Sequence, residues 1–261
     1  MIHGNPTWSF YFRYLIRKLS PQYRVIAVDH TGCGLSDKPG INRYDYRLKS
    51  RVDDLETLLA ELEINHKISL VVHDWGGMIG MAYALRNFDK IGRIVILNTA
   101  AFLPPEHKKL PLRLWLIRNV NLFSVIAVQG FNLFAYAALF MASRKGLSRE
   151  VKKGLIAPYN CWSNRIATLK FVQDIPVCKN DQSYSLVKTV DKNLYKLGNI
   201  PMLICWGMHD FVFDGSYLAE WRRRFPDAEV HIFKNAGHYL LEDEPEKTGV
   251  IVKNFLKNNP L

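Results

Sequence analysis

The fold is decided by one stretch of the chain, Ile68-Ser69-Leu70-Val71-Val72-His73-Asp74-Trp75-Gly76-Gly77. Its first five residues are apolar except for Ser69, which is typical of a strand that is buried on both faces. The glycine pair then opens a predicted helix. Asp74 therefore stands on a sharp turn from strand to helix, which is the context of a nucleophile elbow.

On either side of this stretch, short β-branched runs alternate with amphipathic helical stretches from residue 23 onward. This alternation predicts an α/β fold with a mostly parallel sheet and helices on both of its faces. Leu48 to Leu62 carries apolar residues at helical spacing, and Pro245 begins a predicted closing helix, 244–257. The predicted strands are 24–28, 68–72, 93–97, 202–206 and 229–233.

Residues 101–195 interrupt the alternation with aromatic-rich, helix-like sequence. We expect a helical cap inserted here, with a core made of residues 1–100 and 196–261. Within the cap, the 25 residues from Asn119 to Ser143 carry no charge, which is long enough for a membrane span. Because polar residues interrupt this run, we predict instead two short amphipathic helices joined near Gly130.

Asp74 determines the chemistry expected at the turn, because lipases and esterases place a serine at this point. A carboxylate that attacks a saturated carbon forms an alkyl ester that water can later cleave, whereas a serine would form an ether and stay trapped. An aspartate after a strand can also simply cap the next helix. The flanking Trp75 and the glycine pair favour a nucleophile over a cap.

Two more side chains follow predicted strands and complete a triad. His238, in Asn235-Ala236-Gly237-His238, is the expected base that activates water or guides a proton. Asp210, in Trp206-Gly207-Met208-His209-Asp210, is the expected acid that orients the imidazole, and the competing Asp214 suits a helix cap better. The order along the chain is therefore nucleophile, acid, base.

A fourth element lies at the start of the chain, in His3-Gly4-Asn5-Pro6. This loop is placed to complete an anion hole, in which Asn5 and Trp75 would donate N–H groups to a departing anion. The four cysteines lie far apart and form no CxxC pair, so neither a zinc knuckle nor a redox dithiol is indicated. We expect no metal and no cofactor.

The net charge is +11, and residues 101–195 alone contribute +9. No helix-turn-helix, RNP or zinc-finger pattern accompanies this excess, so nucleic acid is not an expected partner. An anionic membrane surface, an acidic partner or a solvated basic face without a partner are the alternatives. The start of the chain shows no secretory signal, and we expect a cytoplasmic protein with a membrane-associated alternative.

Together these motifs resemble the haloalkane dehalogenase and epoxide hydrolase branch of the α/β-hydrolases, over nearly the whole chain from His3 onward. The combination of Asn5, Trp75 and Asp210 looks like dehalogenase subfamily III. Several stretches look most like the β-lactone decarboxylases of bacterial olefin biosynthesis, the OleB type, within that subfamily. These stretches are 28–39, 44–48, 164–176 and 210–214.

The resemblance implies decarboxylation of cis-disubstituted long-chain β-lactones to cis-alkenes and carbon dioxide, with a β-lactone synthetase as a partner. One alternative is an Asp-nucleophile hydrolase that acts on haloalkanes or epoxides. Another is a non-catalytic protein of this fold that binds a membrane or partner through its basic insertion. The aromatic residues expected to line a pocket for alkyl chains are Phe123, Phe131, Phe134, Tyr136 and Phe140.

The stretch before Asn5 is shorter than the strand that supports this loop in related proteins. We therefore expect the N-terminal edge strands of the sheet to be missing from this sequence, and the donor Asn5 to be poorly held if nothing precedes Met1.

Overall fold

The computed structural model describes residues 1–105, 108 and 110–261. Its centre is a sheet of four parallel strands in the order β1-β2-β3-β4. The strands are β1 (Ile68–Asp74), β2 (Ile91–Thr99), β3 (Met202–Gly207) and β4 (Glu229–Phe233). The predicted α/β fold is confirmed, and four of the five predicted strands are present.

Helices connect the strands, as parallel pairing requires. Before β2 they are α1 (Arg13–Leu19), α2 (Leu48–Glu61) and α3 (Trp75–Arg86). Between β2 and β3 they are α4 (Leu112–Asn119), α5 (Asn121–Ser124), a π-helix (Val125–Gly130), α6 (Leu133–Met141), α7 (Arg149–Ile156), α8 (Ile166–Gln173) and α9 (Tyr184–Asn193). After β3 they are α10 (Gly215–Arg224), α11 (Leu240–Asp243) and α12 (Pro245–Asn258).

The side chains of the sheet alternate between two apolar clusters, one on each face. Leu70, Ile94 and Ile204 pack with α2, α3 and α9 on one face. Val71 and Val95 pack with α1 and α12 on the other. Successive side chains of a strand point to opposite faces, so two buried clusters explain the nearly continuous apolar runs in the sequence.

The predicted strand 24–28 is wrong. This segment forms only one isolated bridge, in which Val28 pairs with Ile2, while Ile2 also bridges to Val72 of β1. Residues Arg24, Val25, Ile26 and Val28 and the start of β1 line a cavity of about 350 Å³. A β-branched run becomes a strand only where a second backbone supplies hydrogen bonds along its length. Here Met1 supplies two: its amino group donates to the Ile26 oxygen, and its main-chain oxygen accepts from the Val28 N–H. Asn5 is nevertheless buried, and the bonds of Ile2 to β1 hold its loop in place.

The uncharged run of the sequence folds as two short helical pieces, 121–130 and 133–141, which meet at 71°. In the described part of the chain, no single helix is long and apolar enough to cross a membrane, and this bent pair passes that test only when its two pieces are taken together. The predicted junction near Gly130 is confirmed, because the π-helix ends at Gly130 and α6 begins three residues later. The division into core and cap remains a prediction.

Candidate active site

Asp74 lies at the turn between β1 and α3 with backbone angles of φ 52° and ψ −125°. This positive φ is strained for a residue with a side chain, and such strain is concentrated at functional sites. The carboxylate makes no capping hydrogen bond to α3. Instead, Oδ1 accepts a hydrogen bond of 2.7 Å from the main-chain N–H of Asn5, so the side chain faces the Asn5 loop rather than the helix.

Glycines allow the backbone to approach this carboxylate closely. A Cβ atom on Gly4 would lie 2.0 Å from Asp74 Oδ1 and 2.2 Å from Asp74 Cβ. A Cβ atom on Gly77 would lie 2.0 Å from Thr99 Oγ1, and this hydroxyl donates to the main-chain oxygen of Asp74. Only glycine fits at positions 4 and 77 without displacing the nucleophile or its support.

His238 lies in the loop after β4 and bridges two carboxylates. Its Nδ1 is 2.8 Å from Asp210 Oδ2, and its Nε2 is 3.4 Å from Asp74 Oδ2. All three side chains are buried. The structure thus brings together Asp74, Asp210 and His238, the three residues that the sequence predicted for a triad.

The charges of the triad depend on one another. Burial alone would lower the pKa of His238, but the charges and hydrogen bonds of Asp210 and Asp74 raise it to about 10. Burial alone would raise the pKa of Asp74, but the hydrogen bond and charge of His238, with the Asn5 N–H, hold it below its usual value. At neutral pH the resting site therefore contains an imidazolium between two carboxylates.

A β-bulge in β2 holds the acid of the triad. The strand register passes from His73 opposite Leu97 to Asp74 opposite Thr99, which leaves Asn98 as the extra residue. Asn98 Nδ2 donates to Asp210 Oδ2 at 3.0 Å, while Asn98 Oδ1 accepts from the Gly207 N–H. Bulges commonly redirect a side chain next to an active site, and this one was not visible in the sequence.

The second oxygen of the same acid is also satisfied. Asp210 Oδ1 accepts from the N–H groups of Val212 at 2.7 Å and Phe213 at 3.0 Å. Asp214, the competing residue, caps α10 by accepting from the Ser216 N–H. Hydrogen bonds to both of its oxygens therefore fix Asp210, the carboxylate that pairs with the imidazole.

The two predicted anion donors flank Asp74. Asn5 Nδ2 donates to the main-chain oxygen of Thr168 at 3.0 Å, which uses one of its two hydrogens, and Asn5 Oδ1 is buried without a partner among the described residues. Trp75 follows Asp74 directly, is half-buried, and packs its ring 5.3 Å from that of Phe171. The main-chain N–H of Asn5 contacts the nucleophile, while α8 holds the side-chain amide of Asn5 through Thr168.

His73 contacts the triad and was not singled out by sequence reasoning. Its Nε2–H donates to the main-chain oxygen of His238 at 2.9 Å, and the two rings lie 4.6 Å apart. Burial, reinforced by the nearby charge of His238, lowers the pKa of His73 to about 3, so the ring is neutral. The sequence could have identified His73 by its position directly before Asp74 in β1, because a buried neutral histidine at a strand end needs a hydrogen-bond partner.

This arrangement can carry out nucleophilic substitution by a carboxylate. Asp74 is ionised, free of helix capping and next to N–H donors, while His238 supplies a positive charge on its other side. Among the residues that the structure describes, no three His, Cys, Asp or Glu side chains gather as metal ligands.

The sequence of this chain is similar to those of known proteins. Residues 1–245 match the alpha/beta hydrolase fold family. A cis-3-alkyl-4-alkyloxetan-2-one decarboxylase of Shewanella oneidensis is 49% identical over 98% of this chain and 80% of its own length. A protein of the same name from Xanthomonas campestris pv. campestris is 43% identical over 100% of this chain and 88% of its own length.

A solved structure of a putative ancestral haloalkane dehalogenase supports the fold. It is 24% identical, covers 98% of this chain and 89% of its own, and superposes with a TM-score of 0.88. The resemblance inferred from the motifs is thus confirmed. The chain belongs to the α/β-hydrolase fold family and groups there with the cis-3-alkyl-4-alkyloxetan-2-one decarboxylases.

Proposed function

We propose that this protein is an enzyme that decarboxylates cis-disubstituted β-lactones to cis-alkenes, with Asp74 as the nucleophile. The observation that carries this proposal is the geometry of Asp74: its carboxylate is buried, held ionised, and bonded to the Asn5 loop rather than to α3. The names of the two relatives that are 49% and 43% identical indicate the same substrate class. The reaction needs two steps.

In the first step, an oxygen of Asp74 attacks the ring carbon that carries the lactone oxygen. The bond from this carbon to the ring oxygen breaks, and its electron pair remains on the oxygen, which becomes part of a free carboxylate. Asn5 and Trp75 donate N–H groups to this new anion, so their interaction strengthens as the charge develops. The product of the step is an alkyl ester of Asp74 with a carboxylate on the neighbouring carbon.

In the second step, the carbon–carbon bond to the carboxylate breaks and its electrons form the alkene. The bond between the substrate and the Asp74 oxygen breaks at the same time, which restores the Asp74 carboxylate and releases carbon dioxide. The first step inverts the attacked carbon, so the Asp74 oxygen lies opposite the carboxylate. Loss of two opposite groups then converts a cis-lactone into a cis-alkene. Neither water nor a proton is consumed.

His238 acts electrostatically in this sequence. Its imidazolium lies 3.4 Å from Asp74 Oδ2, so it stabilises Asp74 as the leaving carboxylate of the second step. Asp210 holds the ring through Nδ1 and keeps it charged. The pair therefore contributes to catalysis without serving as a base toward water.

We also propose two partners for this protein, a β-lactone synthetase and an anionic membrane surface. A β-lactone synthetase would supply a strained, apolar substrate, and the basic segment would contact an anionic membrane surface. Both contacts suit a lactone with long alkyl groups, because such a molecule partitions away from water.

Hydrolysis of haloalkanes or epoxides is a second candidate function. The specific observation that favours it is the complete imidazole–carboxylate pair, which the decarboxylation does not require as a base. Once Asp74 is esterified, one of the charges that raise the pKa of His238 is gone, and the ring can activate water. The two functions differ in whether water enters the product.

The test combines product analysis with labelled water. Purified enzyme and a synthetic cis-lactone in ¹⁸O-water should yield cis-alkene and carbon dioxide with no hydroxy acid, and Asp74→Ala should lower the rate by about 10³-fold or more. Asp227→Ala, which removes an exposed carboxylate, is the matched control. Intact lactone would overturn the proposal, and labelled hydroxy acid would establish the hydrolase instead.

A further inference from the structure

The outer helices between β2 and β3 carry an unusual concentration of exposed apolar side chains. Of the 23 large apolar side chains that are strongly exposed in the described residues, 12 lie between residues 112 and 162. Scattered exposed apolar residues are ordinary, whereas a concentrated set marks an interaction site. We define the outer cap surface by its most exposed members and two tryptophans: Leu112 (71% exposed), Leu122 (75%), Phe131 (67%), Phe140 (71%), Trp115 and Trp162.

These side chains belong to one continuous surface. Arg113 Nη1 lies 3.3 Å from Met141 Sδ, which joins the start of α4 to the end of α6. The Trp162 ring lies against Gly130, immediately before Phe131. The helices α4, α5 and α6 also pack against one another through the π-helix. Four of the five aromatic residues expected to line an alkyl pocket are instead exposed: Phe123, Phe131, Tyr136 and Phe140.

The same surface is strongly basic. Residues 110–170 contain nine lysines and arginines and a single acidic residue, Glu150. Arg118 pairs with Asp181 and Lys145 pairs with Glu244, and the other seven cations have no ion pair among the described residues. Cations also stand among the apolar groups: Lys152 Nζ lies 4.5 Å from the centre of the Phe140 ring, and Arg113 lies beside Leu112. Apolar side chains with interleaved lysine, arginine and tryptophan match the boundary between headgroups and acyl chains of an anionic bilayer.

We propose that the outer cap surface docks on an anionic lipid bilayer, with its short helices lying in the plane of the headgroups. Leu122, Phe131 and Phe140 enter the acyl boundary, while Arg113 and Lys152 pair with lipid phosphates. The docking itself is independent of lactone chemistry, because it rests on exposure and charge alone.

A second copy of the chain fits this surface less well than a lipid. In a twofold dimer the same patch meets itself, so its unbalanced positive charges would face each other at close range. An anionic bilayer neutralises those charges instead. Dimer formation is therefore the competing outcome of the test.

The experiment measures sedimentation of the purified protein with vesicles. We expect binding to phosphatidylcholine vesicles that contain about one third phosphatidylglycerol, and weaker binding to pure phosphatidylcholine or at high salt. Leu122→Glu and Phe131→Glu should each lower the anionic-vesicle partition coefficient about tenfold. Val250→Glu, an exposed apolar position on α12, is the matched control and should leave it unchanged.

Variants that remove charge separate the electrostatic component of vesicle binding from the apolar component. Arg113→Gln with Lys152→Gln should reduce binding to anionic vesicles only, while Lys257→Gln on α12 should not. Turnover of a short, water-soluble lactone by Leu122→Glu should stay at the unsubstituted rate. The proposal would be overturned if none of the outer cap variants lowered vesicle binding, or if the control variants lowered it equally. It would also be overturned if the protein bound no vesicles but self-associated in a way that Phe131→Glu abolished.

Discussion

The carboxyl edge of the sheet and the outer cap surface are built in opposite ways. At the sheet edge, the polar side chains of Asp74, Asp210 and His238 are buried, and each is held by specific hydrogen bonds. At the outer cap surface, large apolar side chains such as Leu122 and Phe131 are exposed, among cations most of which have no acidic partner in the described residues. Each region reverses the usual rule of polar outside and apolar inside.

The two regions differ in how precisely their atoms must be placed. A covalent step depends on atoms placed to within a fraction of an ångström, so the sheet edge is densely bonded. Contact with a fluid, apolar phase depends on area and charge, which tolerate variation in individual side chains. Substitutions at the two places should therefore have very different effects.

Among changes that keep all three residues of the triad, the largest effect is expected from Gly4→Ala. The added methyl would lie 2.0 Å from Asp74 Oδ1, so the carboxylate or the Asn5 loop must move. A displacement of about 1 Å costs roughly 10²-fold in rate, and we expect kcat/KM to fall by at least that factor for every substrate. Steady-state kinetics with thermal melting provides the measurement.

The control for this change is Gly215→Ala, whose added methyl meets only Met208 Cε at an ordinary 3.5 Å. Full activity in Gly4→Ala would mean that Asp74 is not confined as described. Equal losses in both variants would point to folding rather than to the site.

A smaller but diagnostic effect is expected in the pH dependence. The pKa of His238 is raised to about 10, so its charged form, and the stability this form contributes, is retained at neutral pH and lost as the pH rises toward 10. Decarboxylation needs the charged ring and should vary little between about pH 6 and pH 9. Hydrolysis of a haloalkane needs the neutral ring and should increase with pH.

Rates measured across this range with a lactone and a haloalkane provide the check. At the acid end, the lowered pKa of Asp74 should keep both reactions active below the usual range of a carboxyl. If the two profiles run parallel through neutral pH, His238 performs the same task for both substrates, and the electrostatic role assigned to it is wrong.

Asn98→Ala should have an intermediate effect. It removes the donor to Asp210 Oδ2 and leaves the Gly207 N–H without its acceptor. We expect a loss of about 1–3 kcal/mol in unfolding free energy and roughly tenfold in kcat. Urea unfolding and kinetics would be compared with Asn254→Ala, an exposed site on α12. Unchanged kcat in a destabilised protein would limit Asn98 to a structural role.

The smallest effect is expected from Phe131→Ser. This side chain is 67% exposed, so its removal should change the unfolding free energy by less than about 0.5 kcal/mol. Urea unfolding of this variant beside a buried change, Phe171→Ser, provides the measurement. A large loss of stability in Phe131→Ser would show that the outer cap surface is covered within the protein itself.

The sequence predicted what depends on local pattern. Apolar runs identified β1, β2 and β3, which are buried on both faces, and β-branched residues identified the partly exposed edge strand β4. The positions of Asp74, Asp210 and His238 after strands placed them at one edge of the sheet. The structure brings these three together as expected, while their catalytic roles remain proposals. The sequence pattern was sufficient for features that are set locally, such as a buried strand and the residue that follows it.

The sequence did not reveal features that depend on which distant residues come into contact. Residues 24–28 have the composition of a strand but pair at one residue only. Asn98 was not predicted as a site residue, because a bulge that turns it toward Asp210 leaves no mark in composition. The excess of positive charge was evident in the sequence, but its coincidence with the exposed apolar side chains was not.

The imidazolium between two carboxylates gives the resting site one more negative than positive charge. In the proposed decarboxylation a neutral lactone enters it, and a neutral hydrocarbon and a neutral gas leave it, so that imbalance is the same before and after each turnover. Such a cycle needs no proton wire to bulk solvent and no counter-ion exchange. The enzyme can therefore work in a compartment from which water is largely excluded, a setting in which a hydrolase would stall.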